Sequence, residues 1–119
     1  MDERSPIFRR LVGEHYMISI PPGWLKLVES VNMQLAHISP GYEIYQIKEK
    51  FGRLRLYVNY VPRSNETDQK VAESIFNSIV HSAEMTSANM CDQCGKWATL
   101  DTDANGWLRT RCENHKDQK

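Results

Sequence analysis

Four residues near the C-terminus have the types and spacing that chemistry requires: Cys91, Cys94, Cys112 and His115. They read C-D-Q-C, then seventeen residues, then C-E-N-H. Paired thiolate and imidazole ligands, repeated once after a hairpin-sized gap, match a tetrahedral zinc site. A C-x-x-C pair lets one tight turn, here followed by Gly95, aim two sulfurs at one ion. Cys112 and His115 would close the set from the far end of a short hairpin. A closed Cys3His set leaves no open position for water or substrate, so the expectation is one structural Zn2+ per chain. A redox C-x-x-C normally opens a helix after a strand. This one follows a helical pattern and precedes a strand-like run. A disulfide framework would leave one of three cysteines over. Asp92 and Asp117 are weaker stand-ins for His115.

The elements that must position these ligands are read from periodicity. Pro21-Pro22-Gly23 precedes Trp24, Leu25, Val28, Val31, Leu35 and Ile38, which recur at three- and four-residue steps. That predicts an amphipathic helix over 22–38, stopped by Ser39-Pro40-Gly41. Residues 42–61 read as a β-hairpin pivoting at Phe51-Gly52. Tyr45, Ile47 and Phe51 alternate with Gln46, Lys48 and Lys50. Leu54, Leu56, Val58 and Tyr60 alternate with Arg53, Arg55, Tyr57 and Asn59. A loop then leads to a long helix, capped by Asn65 or Thr67. Its stripe of Val71, Ala72, Ile75, Phe76, Ile79, Val80 and Ala83 runs on to about Met90. The long helix is expected to cover the hairpin, with the first helix beside it. Strands over 98–100 and 107–110, joined by an Asn105-Gly106 turn, would return Cys112 and His115 to Cys91 and Cys94. The fold class is therefore α+β: helix, β-hairpin, long helix, then a small C-terminal zinc-ribbon hairpin. Residues 1–90 form the core and 91–119 the metal lobe. The first twenty residues admit a short helix through Ile7, Phe8, Leu11 and Val12, then an extended piece through Met17, Ile18 and Ile20. They serve as an arm or as part of the core.

Fifteen basic residues balance fifteen acidic ones. That balance argues against a general nucleic-acid or membrane-surface binder but leaves room for a local basic face. No apolar run reaches the ~18–20 residues that span a bilayer. The N-terminal residues lack a signal segment, so a cytoplasmic protein is expected. Lys48, Lys50, Arg53 and Arg55, with Tyr57 beside them, could contact phosphates and stack a base. The bland alternative is a solvated face, favoured by Glu49 nearby. His15, His37 and His81 are scattered, no glycine loop cradles phosphate, and Asp101 and Asp103 fit turn roles, so no enzyme is expected. The aromatics and arginines suit an interaction surface, with a protein as first partner, nucleic acid as alternative and homo-oligomers open. Trp97 and Trp107 are expected to pack the ribbon's own small core.

The segment Ile47-Lys48-Glu49-Lys50-Phe51-Gly52-Arg53-Leu54-Arg55-Leu56-Tyr57 is similar to an I-K-E-K-F-G-x-L-R-x-Y segment in a family of short, uncharacterised bacterial and phage-encoded proteins. The chain also resembles them in Gly23-Trp24 and in the C-x-x-C, Gly106-Trp107, C-x-x-H module. The resemblance covers about residues 22–115. It departs at Arg53, where the family carries a second glycine, and at His115, where cysteine is common. It implies a phage-encoded modulator of a host or defence complex.

Overall fold

The computed structural model describes residues 5–65 and 67–116. The fold is α+β, with two helices and two separate antiparallel hairpins. A 3-10 turn, Pro22–Trp24, opens α1 (Leu25–Ile38). Strands β1 (Glu43–Lys50) and β2 (Arg53–Asn59) form the first hairpin. Helix α2 (Gln69–Ser87) follows, then β3 (Thr99–Thr102) and β4 (Leu108–Arg111).

The first hairpin is a two-stranded sheet whose exposed edges would be templates for wrong pairing. Both edges are covered. Along β1, the N-terminal segment makes parallel bridges at Leu11–Ile44 and Ile18–Ile47. Val12 N–H donates to Ile44 O (2.8 Å) and Ser19 N–H to Ile47 O (2.8 Å). Along β2, the N–H groups of Leu54 and Leu56 donate to Ser87 Oγ and Glu84 Oε2 of α2, each at 2.9 Å. Helix α2 therefore flanks an edge. The inner face belongs to α1, whose Val28, Val31 and Leu35 line a small internal void with Ile44, Ile47, Leu56 and Val58. Both helices thus pack on the hairpin, α1 on its inner face and α2 along the β2 edge, whereas the expectation from sequence is α2 covering it with α1 only beside α2. Phe76 still reaches the core, edge-on to Tyr42 and Tyr60.

The short helix admitted for the N-terminal residues is 3-10 in type, three residues long. These residues make two 3-10 turns, Phe8–Arg10 and His15–Met17, with Val12 and Tyr16 exposed. Ile7 is buried in the core, and Leu11, Ile18 and Ile20 pack against it, so this segment is part of the core. Arg10 anchors it by donating to the carbonyls of Pro40 (2.8 Å) and Tyr42 (3.0 Å) and lying 4.3 Å over the Tyr42 ring.

A register shift between Ile44 and Gln46 changes which β1 residues face inward. Ile44 and Ile47 are buried, whereas Tyr45 and Phe51 are exposed, unlike the alternation expected from sequence. A bulge adds one residue to the count and so turns Tyr45 outward, whereas Phe51 is exposed because it lies in the turn beyond β1. Phe51 (φ 53°) and Gly52 (φ 82°) both adopt positive φ, the signature of a type I′ hairpin turn. Arg53 is the first residue of β2.

Helix α2 is shorter than expected. Asp68, and neither Asn65 nor Thr67, caps it by accepting from Val71 N–H (3.2 Å). It ends at Ser87, short of Met90, and its Val71 and Ile75 are exposed. No helix among the described residues is long and apolar enough to cross a membrane.

Candidate metal centre and basic hairpin face

The Cys91–Gly95 turn is built by local hydrogen bonds. Cys91 N–H donates to Lys96 O (2.7 Å), Gly95 N–H to Cys91 O (2.8 Å) and Gln93 N–H to Cys91 Sγ (3.4 Å). Gly95 takes φ 81°, which a side chain would strain. Strands β3 and β4 pair from Thr99–Arg111 to Thr102–Leu108, carrying Cys112 back to the turn. His115 N–H donates to Cys112 O (2.9 Å), curling the last turn so that the imidazole faces the thiols.

The four ligand atoms all lie within 4.8 Å of one another and can hold one metal ion. Cys94 and Cys112 sulfurs are 3.7 Å apart; His115 Nδ1 is 3.6 Å from Cys91 Sγ and 3.2 Å from Cys112 Sγ. A tetrahedral zinc with Zn–S of about 2.3 Å and Zn–N of about 2.0–2.1 Å has edges of roughly 3.8 Å and 3.6 Å. Two of the distances match those edges and the third is somewhat shorter. Cys91 is buried, Cys112 and His115 are half-buried, and Cys94 is exposed. Burial alone would push the Cys91 thiol up. Hydrogen bonds from the Cys112, Gln93 and Cys94 backbones and from the Cys94 side chain outweigh it and bring its pKa down to about 6. Of the two stand-ins for His115, Asp92 is buried and its Oδ1 accepts from Arg111 Nε (3.0 Å). Asp117 lies outside the described residues.

The turn is pressed against the start of α1. Gly23 N–H donates to Asp92 O (2.8 Å), and a Cβ at Gly23 would stand 2.0 Å from Cys91 O. The fully buried Trp24 donates its indole N–H to Met90 O (2.8 Å). On the other side the ribbon sits on the first hairpin's turn. Thr110, fully buried, donates its hydroxyl to Gly52 O (2.7 Å), and Asp92 N–H donates to Thr110 O (2.8 Å). Glu49 clamps the same corner, accepting from Gly52 N–H (2.7 Å) and from Arg109 Nη1 (3.1 Å). The metal turn, the start of α1 and the hairpin tip thus form one packed corner. Sequence reasoning missed the parts that Glu49, Gly23 and Thr110 play there. Glu49 carries a signal, because it shares strand phase with Ile47 and not with Lys48 or Lys50. The roles of Gly23 and Thr110 depend on contacts between segments far apart in the chain.

Lys48, Lys50, Arg53, Arg55 and Tyr57 do share the outer face of the first hairpin. The register pairs Lys48 with Arg55, Lys50 with Arg53, and Gln46 with Tyr57. Lys48 Nζ lies 5.9 Å from the Tyr57 ring centroid and Lys50 Nζ 5.6 Å from that of Phe51. Arg53 Nη1 rests 3.9 Å from Met85 Sδ. Among the described residues, no carboxylate lies within ion-pair distance of these four cations. Glu49, their neighbour in sequence, pairs with Leu54 on the opposite face.

Trp97 and Trp107 do not pack the ribbon's interior. They are 73% and 63% exposed. The ribbon's inner side is instead closed by Thr110, Ala98 and the Gly52 backbone. Of the other histidines, His37 and His81 are exposed, and His15 lies edge-on to Phe8 (5.6 Å). Asp103 serves the turn, accepting from Asn105 N–H (2.8 Å) and Trp107 N–H (3.0 Å).

Comparison of the chain with models of known protein families, with curated proteins and with solved structures finds no match.

Proposed function

We propose that this chain is a small non-enzymatic binding module, stabilised by one structural zinc held by Cys91, Cys94, Cys112 and His115. Its working surface is the outer face of the first hairpin. The observation that carries the reading is the pairing of like charges, Lys48 with Arg55 and Lys50 with Arg53, with no acid among the described residues to relieve it. Like charges directly opposite on a sheet are destabilising, so a partner of opposite charge is the natural relief. The closed ligand set supports a structural metal, because four protein ligands leave no coordination position for substrate.

Native mass spectrometry of the purified protein, before and after acid denaturation, tests the first half. One zinc per chain, lost on denaturation, is expected; a metal-free folded protein would contradict it. The surface is tested by replacing Lys48, Lys50, Arg53 and Arg55 with glutamine together. That variant should keep its zinc and lose the macromolecule captured by the parent from lysate. Equal capture by both would move the working surface elsewhere.

A protein partner is the second reading, favoured by the exposure of Trp97 and Trp107, since tryptophans often anchor protein interfaces. The resemblance to phage-encoded proteins supports a host factor or defence complex as that partner. A nuclease-treated pull-down from bacterial lysate that returns no stoichiometric protein would count against it.

A further inference from the structure

The chemistry of the hairpin's outer face says more than that it is basic. Its residues are ordered along one axis. Phe51 stands at the tip, followed by the Lys50–Arg53 pair, the Lys48–Arg55 pair, and then Tyr57. Phe51 is 63% exposed and Tyr57 40%. Successive outward residues of one strand stand about 6.6–6.8 Å apart. That step is close to the distance between neighbouring phosphates of an extended nucleic-acid strand. Each aromatic has a lysine ammonium near its ring, at 5.9 Å and 5.6 Å, so a base stacked there would have a phosphate contact beside it. Stacking platforms flanked by cations are how strand-binding surfaces grip any sequence.

The covered edges decide between one strand and two. A free β-ribbon can enter a major groove about 12 Å wide. Here the N-terminal segment lies along β1 and α2 along β2, so the hairpin is embedded in a broader surface. It offers a face and no insertable ribbon. The zero net charge of the chain is compatible with this, because Glu49 is turned to the opposite side and engaged with Arg109 and Gly52.

We propose that this face binds single-stranded nucleic acid, with Lys48, Lys50, Arg53 and Arg55 on phosphates and Phe51 and Tyr57 as base-stacking platforms. The proposal rests on the reading of this face as the working surface and names its ligand.

Fluorescence anisotropy with labelled oligo(dT), repeated across salt concentrations, tests it on the full zinc-loaded chain. Four phosphate contacts to a single strand give a slope of log K against log salt near −2.8, at about 0.7 per contact. Arg53→Gln/Arg55→Gln should reduce the slope by about 1.4 and weaken binding about 25-fold near 0.1 M salt. Tyr57→Ala should weaken binding about 5- to 150-fold, the range for one lost stacking contact. Oligo(U) is run beside oligo(dT); binding of either supports the proposal, and the tighter one names the source. A duplex of the same length that binds more tightly than the single strand overturns it. So does a slope that the arginine substitutions leave unchanged. Zinc content and melting are measured on the same samples. A folded, zinc-loaded protein that ignores both oligonucleotides sinks this inference alone, whereas a chain that binds no zinc sinks the module reading.

Discussion

Replacing Gly23 by alanine puts the packing of the metal turn against α1 to a direct test. The added Cβ would stand 2.0 Å from Cys91 O, 2.7 Å from the Asp92 carbonyl carbon and 2.7 Å from Gly95 N. All three are backbone atoms, so no side chain can rotate away. Relief requires moving the metal turn off the start of α1. That shift breaks the Gly23–Asp92 hydrogen bond and disturbs the Trp24 indole contact to Met90. Overpacking costs about 1–3 kcal/mol and the lost hydrogen bond about 0.5–1.5, so a loss of about 2–4 kcal/mol is expected. For a domain of this size that lowers the melting temperature by roughly 8–16 °C. Because metal binding and folding of the lobe are linked, apparent zinc affinity should fall by at least about 30-fold. Thermal melts and competition with a chromogenic chelator measure both. Gly41→Ala is the control, since its Cβ would meet only Val61 side-chain atoms at 3.6 and 3.9 Å. If Gly23→Ala melts within a few degrees of the parent and holds zinc as tightly, the backbone contact is not what couples the lobe to the core.

Three further outcomes are expected. Cys94→Ser should release the metal and unfold the ribbon, detected as lost amide protection over 91–116 with the helices retained; unchanged melting after chelation of the parent would contradict it. Lys48→Glu places a carboxylate opposite Arg55 and should stabilise the chain by up to about 1 kcal/mol in urea melts, whereas a loss of stability would show that the like-charge pairing is harmless. Burial pushes the Tyr42 hydroxyl up to about 12, with Arg10 opposing. Above pH 10 the unfolded chain releases this proton while the folded one keeps it, so stability falls between pH 10 and about 12, by roughly 2–3 kcal/mol. Tyr42→Phe should remove that component from the pH dependence of urea unfolding; an identical alkaline slope would refute it.

Much of the candidate site is legible in the sequence. Ligand type and two-residue spacing are local properties, and the Asn105-Gly106 turn brings the second pair back to the first. The type and order of the α1, hairpin, α2 and ribbon elements follow from periodicity, which senses one buried face. The outward set of the hairpin follows from the pattern on β2, where alternation is unbroken. The pattern fails on β1 because one bulge residue near Tyr45 shifts the phase, and period-two patterning cannot register an extra residue. The start of α2 is misplaced by sequence because Asn65, Thr67 and Asp68 are all competent caps, and only the path of the chain selects Asp68.

The amino-acid sequence alone determined the ligand set, the α+β class and the four cations of the outer hairpin face. Each depends on residue type at short spacing. Tertiary structure decided what those features touch. It engaged Glu49 with Arg109, left Trp97 and Trp107 in solvent, and pressed the metal turn against Gly23. It also set the N-terminal segment along β1 as part of the core. These outcomes hang on contacts between residues tens of positions apart. Such contacts are settled by competition for burial and for unpaired backbone groups, which no local pattern encodes.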